Sequence, residues 1–317
     1  MKTGTDVSLA ADLLRQGKIV AIPTETVYGL AANAFDPDAV IRIFEIKNRP
    51  RFNPLIVHVP DWDMLMEIAL VSDPVLKQVA EKFWPGPLTI LAPKTNKIHP
   101  VITAGSNLAA VRIPNHELTL RLLKTLNFPL AAPSANLFGK ISPTTAAHVE
   151  QQLGSKIDYI LDGGECSVGV ESTIIKVDSG GKIVILRPGG VSAEDIAEVT
   201  GYVPALVRAA DQPEAPGMLR SHYAPKIPLI VGGVEDLIAL NSGKKISLIS
   251  FTRSYDHPEV LKVYTLSPGG DIHEAARNLF SAMHEAENSG ADLIIAEQFP
   301  NHGIGMAIND RLKRASS

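Results

Sequence analysis

Two cations stand two residues apart in Lys47-Asn48-Arg49-Pro50, with Asn53 and His58 close behind. A compact ammonium next to a planar guanidinium fork suits a polyphosphate. Pro50 drives the chain into an extended path at that point. From 42 to 51 there are four basic residues (Arg42, Lys47, Arg49, Arg51) and one acid, Glu45. A lone lysine at a helix end would serve only the helix dipole. Beside Asn53 and His58 the set reads as an anion site. Five other loops hold concentrated polar groups: Pro23–Leu30 with Thr24, Glu25 and Thr26; Arg112-Ile113-Pro114-Asn115-His116; Ala131–Asn136 running on to Gly139 and Ser142-Pro143-Thr144; Asp162–Gly164 with Gly169–Thr173; and Arg187-Pro188-Gly189-Gly190. Small residues such as Ala132 let a backbone approach a ligand, and Ser134, Asn136 and Ser142 offer neutral donors and acceptors. Ser142 also reads as the cap of a following helix. Such a constellation fits a pocket for a phosphorylated ligand better than scattered turns.

Other chemistries are excluded by spacing. Gly139-Lys140-Ile141-Ser142 lacks the glycine five residues earlier that a phosphate-binding loop needs; Ser134 stands there. Gly303-Ile304-Gly305 begins a dinucleotide fingerprint, but Ile308 replaces its third glycine. His273-Glu274 is followed by Arg277 where a zinc protease helix needs histidine. No His/Asp/Glu cluster has metal-ligand spacing. Cys166, the one cysteine, has no histidine close in sequence and reads as a quiet buried thiol.

These loops need strands and helices to converge. Val7, Leu9, Ala10, Leu13 and Leu14 recur at helical spacing, and Asp36-Pro37 opens a second helix running to Arg49-Pro50. Strand-like runs lie at Ile19–Ile22, Leu55–Val59, Leu88–Ala92, Ala109–Ile113, Leu130–Ala132, Tyr159–Leu161, Thr173–Val177 and Ile183–Leu186. Helical patterns separate several of them: Asp73–Phe83, Glu117–Leu126 and Thr144–Leu153. Nearly every polar loop therefore falls at a strand end, where open α/β sheets hold ligands. A proline-rich stretch over 205–226 divides this region, 1–204, from a second, 227–317. The latter alternates strands (Ile227–Val231, Ile246–Phe251, Leu261–Leu266, Asp292–Ala296) with helices (Val234–Leu240, Ile272–Asn288), as a small doubly wound α/β domain does.

Composition agrees. The 317 residues carry 30 Lys+Arg against 34 Asp+Glu, a net charge of −4, and only 5% aromatics. That argues against coating nucleic acid by charge or stacking, while leaving room for a local anion site. One cysteine forms no internal disulfide and suits the reducing cytosol. Asp6, Asp12 and Arg15 interrupt any secretory leader, and no run approaches a membrane span. The expectation is a cytoplasmic protein with no membrane partner.

Taken in order, the motifs resemble the threonylcarbamoyl-adenylate synthase family, in its long form with a YrdC-like first domain. The carrying segments are Pro23–Leu30, Lys47-x-Arg49-Pro50 with Asn53-Pro54-Leu55, Trp84–Thr89, Arg112-x-Pro114-x-His116, Ser134-x-Asn136, Glu171-Ser172-Thr173, Arg187-Pro188-Gly189, His222-Tyr223-Ala224-Pro225 and Gly303-x-Gly305-x-Ala307-Ile308-x-Asp310-Arg311-Leu312. The resemblance implies a twisted, open, mixed α/β sheet followed by a small Rossmann-like α/β/α domain. It implies that ATP, L-threonine and bicarbonate give threonylcarbamoyl-AMP and pyrophosphate, with Mg2+ arriving mainly on ATP and no fixed metal cluster. The product would pass to a tRNA threonylcarbamoyl transferase complex; a weak contact with tRNA is allowed, and a monomer is expected. By the family pattern Lys47, Arg49, Ser134 and Asn136 are catalytic. Arg49, Asn53, Ser134, Ser142, Arg187 and Tyr223 touch ATP; Thr26, His58, Arg112, Ala132 and Ser172 surround threonine and its carbamate. The proline-rich linker around Tyr223 is read as a lid.

Two positions depart from the family: Phe138, where a small serine is usual, and Leu219-Arg220-Ser221, where a lysine-rich stretch is usual. The principal competing reading is a non-catalytic module for tRNA or double-stranded RNA. A different carbamoyl-adenylate former is disfavoured by the lack of cysteine-rich zinc fingers, and a nicotinamide oxidoreductase by the incomplete glycine fingerprint.

Overall fold

A computed structural model describes residues 2–207, 214–218 and 222–317. Within them two sheets form. The larger has eleven strands in the order Lys2–Gly4, Tyr159–Leu161, Val20–Ile22, Gly29–Asn33, Leu130–Ala131, Ile56–His58, Leu108–Arg112, Leu88–Pro93, Thr173–Val177, Ile183–Arg187 and Ala205–Leu206. Its pairings are mixed: Val20–Ile22 runs antiparallel to Gly29–Asn33, whereas Ile56–His58 runs parallel to Leu108–Arg112. The smaller sheet has the order Leu229–Val231, Leu293–Ala296, Ile246–Ser250, Val260–Thr265, with every pairing parallel. Crossovers through Val234–Leu240 and Ile272–Glu287, with Gly305–Ala315 closing the chain, make it the expected doubly wound unit.

Helix ends follow the chemistry of their sequences. Asp36 caps Pro37–Lys47, its carboxylate accepting from the Asp38 and Ala39 amides, and Pro37 sits in the first turn. Asn48 ends that helix in the left-handed region (φ 51), which asparagine tolerates. Thr145, not Ser142, caps Ala146–Leu153 by accepting from the His148 amide, so the Ser142 hydroxyl is free for another partner.

Several elements differ from the sequence reading, four of them near the site or the domain boundary. Gly29–Asn33, taken partly as loop, is a buried central strand whose small residues match no alternation pattern. Ala193–Thr200 and Gly305–Ala315 are helices that were not anticipated. Ala205–Leu206, at the start of the proline-rich stretch, adds an edge strand to the first sheet. The departures Leu219-Arg220-Ser221, and Pro213, lie outside the described residues.

Candidate functional site

Strand register builds the floor. His58 pairs with Arg112 at the carboxyl ends of adjacent parallel strands. Both are buried on one cavity, whose walls include Thr26, Ala132, Ser134, Ser172 and Arg187. The wall on the linker side is Pro216, Gly217, His222 and Tyr223. Lys47, Arg49, Asn53, Asn136 and Ser142 are also buried but stand behind these walls.

Arg112 is held on three sides. Its Nε donates to the Gly86 carbonyl at 3.2 Å and its Nη1 to Thr26 Oγ1 at 2.9 Å. Its Nη2 lies 2.7 Å from the buried carboxylate of Glu25. That contact is an ion pair without hydrogen-bond alignment, since both Glu25 oxygens and Arg112 Nη2 lack hydrogen-bond partners. Glu25 was quoted from the sequence without a role. Burial and the Arg112 charge push His58 down to about 3, so its imidazole is neutral at physiological pH.

The opposite end is cationic. Lys47 Nζ donates to the carbonyls of Ser134 (2.6 Å) and Asn136 (2.5 Å). Arg49 donates from Nη2 to Asn53 Oδ1 and to the Pro54 carbonyl, both at 2.7 Å. Arg187 donates to Ser172 through Nε and Nη2, and to the Pro216 carbonyl through Nη1 at 3.0 Å. Among the described residues none of these three cations has a carboxylate within ion-pair distance. Burial, then neighbouring Arg49, holds Lys47 well below the ordinary lysine range. The Ser172 hydroxyl is also tied to Thr89 Oγ1 at 2.7 Å.

One carboxylate, Glu171, lines this end. Ser142 Oγ donates to its Oε1 at 2.6 Å and Arg311 Nε to its Oε2 at 2.7 Å. Although burial opposes ionisation, Arg311 and Arg187 hold Glu171 down to about 2. Arg311 belongs to the C-terminal helix; its motif was visible in the sequence, but nothing there placed it at this site.

The linker closes the cavity. Tyr223 is buried in the left-handed region (φ 66), and the Ala224 amide donates to the Gly139 carbonyl at 2.7 Å. His222 meets Tyr223 and Phe138 edge-on, with centroids 4.2 and 5.7 Å apart. Phe138 in turn lies 6.0 Å from the Arg49 guanidinium. The unusual phenylalanine therefore seats the linker against the cation cluster. The enclosed space is about 50 Å³, far below the roughly 300–1,000 Å³ of a ligand pocket.

Cys166 is buried and its thiol is pushed up by burial, in keeping with an inert role. Among the described residues no group of three or more His, Cys, Asp or Glu could hold a metal ion, and no helix is long and apolar enough to cross a membrane.

The fold defines a two-domain α/β protein whose buried cavity is lined by Arg112, Arg187, His58 and Glu171. A family model described as "Telomere recombination" matches residues 12–189, and one described as "Threonylcarbamoyl-AMP synthase, C-terminal domain" matches 191–317. Threonylcarbamoyl-AMP synthase of Pyrococcus abyssi is 43% identical over 98% of this chain and 94% of its own length. That of Bacillus subtilis is 39% identical over 98% and 92%. The crystal structure of Pyrococcus abyssi Sua5 complexed with L-threonine has a TM-score of 0.92 at 41% identity, covering 100% of this chain and 97% of that one. Escherichia coli YciO shares the fold over 59% of this chain, with a TM-score of 0.51 at 20% identity. The chain belongs to the threonylcarbamoyl-AMP synthase family, a family of enzymes.

Proposed function

We propose that the protein is an L-threonylcarbamoyladenylate synthase, a nucleotidyltransferase acting in the first step of threonylcarbamoyl modification of the tRNA adenosine next to the anticodon. The observation that carries this reading is the charge arrangement. Lys47, Arg49 and Arg187 are buried without a carboxylate in ion-pair contact, and Arg187 shares its cavity with a second group, His58, Thr26 and Arg112. The first group suits the phosphates of ATP; the second suits an amino acid and its carbamate. The kinship to threonylcarbamoyl-AMP synthases, and to a Sua5 complexed with L-threonine, supports the same assignment.

Threonine's amine takes up bicarbonate, releasing water, to give the carbamate. A carbamate oxygen then attacks the α-phosphorus and pyrophosphate leaves. Both reactants are anionic, so catalysis rests on positioning and charge neutralisation. Lys47 and Arg49, with Ser134 and Asn136, hold the reacting phosphates; Asn53, Ser142, Arg187 and Tyr223 complete the nucleotide seat. Thr26, His58, Arg112, the Ala132 backbone and Ser172 enclose threonine. Magnesium enters on ATP as part of the substrate, because the nearby carboxylate Glu171 is already committed to Ser142 and Arg311.

Residues 1–204 form the catalytic unit and 227–317 the second domain. The linker 205–226, beyond its edge strand Ala205–Leu206, is the lid: Pro216, Gly217, His222 and Tyr223 line the cavity, and its space of about 50 Å³ is too small for a nucleotide while they stay in place. A closed site also protects a carbamate that water would destroy. The enzyme acts as a cytoplasmic monomer and passes its product to a tRNA threonylcarbamoyl transferase complex.

Pyrophosphate release with ATP, bicarbonate and each of several amino acids tests the reading. Threonine alone is expected to give a signal; its absence overturns the assignment. Deleting 213–225 is expected to abolish turnover, and unchanged turnover refutes the lid.

A further inference from the structure

Glu171 poses a problem for a site that must accept a polyanion. It lines the cavity, is buried and is ionised. Left bare, it would repel phosphate and stand as an unpaired buried charge. The structure answers with a residue from the other domain. Arg311 is fully buried and reaches three parts of the site at once. Its Nε donates to Glu171, its Nη2 donates to the Pro188 carbonyl at 3.0 Å, and its guanidinium lies 5.3 Å from the centre of the Tyr223 ring. Its Nη1 pairs with Asp310 at 2.7 Å, and Arg314 pairs with Asp310 at 3.0 Å, so two cations balance the two carboxylates and Arg311 can answer Glu171.

The residues 303–305 now acquire a purpose other than dinucleotide binding. Gly303 takes a positive φ of 55, and a Cβ on Gly305 would collide with the Pro300 carbonyl. Only glycine permits the helix Gly305–Ala315 to start this close to the preceding turn, and that start sets where Arg311 projects. A lysine at 311 would supply one point charge but neither the planar fork nor the stacking face.

We propose that Arg311 is a positioning residue through which the C-terminal domain assembles the catalytic site, neutralising Glu171, thereby fixing the Ser142 hydroxyl, and seating Tyr223 of the linker. The proposal rests on the synthase reading above and assigns the second domain its part in that reaction.

A double-mutant cycle tests it with Arg311→Met, Glu171→Gln and the two combined, read by threonine-dependent pyrophosphate release. Arg311→Met is expected to lower kcat/KM for ATP at least a hundredfold, because Glu171 stays charged without its ion-pair partner. In the double variant the charge is gone, so activity is expected to recover at least tenfold over Arg311→Met alone. Losses that simply multiply would mean packing only, and wild-type turnover in Arg311→Met would mean no role; either result overturns the proposal. Should Arg311→Met fail to fold, the double variant decides: cooperative unfolding with measurable turnover supports the proposal, and their absence refutes it. The same cycle followed by thermal unfolding needs no substrate. A folded wild-type protein silent in the assay would therefore sink the synthase reading, while the Arg311–Glu171 coupling is still decided by whether the two substitutions rescue one another.

Discussion

Replacing Lys47 with methionine separates the two tasks its ammonium performs. In the closed structure Nζ is clamped by the Ser134 and Asn136 carbonyls. Losing it orphans two buried acceptors, at about 1–3 kcal/mol each. Against that, the substitution removes a buried ammonium with no counter-anion, a group whose desolvation costs several kcal/mol. The two effects nearly cancel, so stability is expected to change by no more than about 2 kcal/mol, or about 3 °C in Tm for a chain of this length. Activity has no such compensation. A phosphate oxygen about 4 Å from the ammonium gains about 4 kcal/mol at an effective dielectric near 20, which is about a thousandfold. Pyrophosphate release at saturating threonine and bicarbonate, with unfolding followed by circular dichroism, reads both. A folded Lys47→Met protein within tenfold of wild-type kcat/KM for ATP would refute the electrostatic reasoning. Titration adds a second signature. Because burial and Arg49 hold Lys47 well below its ordinary range, a phosphate arriving there raises its proton affinity. Calorimetry in buffers of different ionisation enthalpy is expected to show net proton uptake on nucleotide binding at alkaline pH, lost in Lys47→Met.

His58 and His222 are both pushed down to about 3, chiefly by burial. The unfolded chain binds their protons near pH 6.5 while the native state does not, so stability falls as pH drops below 6.5. By pH 5 each costs about 2 kcal/mol, measurable as a smaller loss in His222→Gln. Gly189→Ala would drive a Cβ into the Glu171 carbonyl and the Ser172 backbone; a loss of about 3 kcal/mol or more is expected by chemical denaturation, together with weakened threonine binding. Phe138→Ala removes the ring between Arg49 and His222. It is expected to raise KM for ATP several-fold with little change in Tm, and an unchanged KM would show that the ring does not hold the lid.

Most of what the sequence made legible concerned alternation and local chemistry. The strands Tyr159–Leu161 and Thr173–Val177 and the helix Val234–Leu240 matched their apolar runs, because each sits between clear polar or glycine stops. Gly29–Asn33 did not, since a central strand of sequence Gly-Leu-Ala-Ala-Asn carries no alternation and little bulk. Asp36 announced its helix correctly, whereas Ser142 was the wrong cap: a serine beside proline satisfies the same local pattern, and only the distant Glu171 claims its hydroxyl. Glu25 and Arg311 show the general limit. Their partners lie 87 and 140 positions away, and no local spacing encodes which buried charge a residue will meet.

Charge balance at the site follows from those long-range pairings. Glu25 answers Arg112 and Arg311 answers Glu171, each across a buried contact of 2.7 Å. Lys47, Arg49 and Arg187 instead spend their protons on carbonyl and amide oxygens, which orient a cation without neutralising it. A fold that pairs some buried charges so closely, leaves Lys47 and Arg49 without a carboxylate and sets Arg187 near Glu171 without pairing them keeps an excess of positive charge that suits an incoming anion. In the lid role proposed for the linker, the neutral His222 and Tyr223 would screen that charge from water, and opening is expected to favour a polyphosphate over a neutral ligand of the same size.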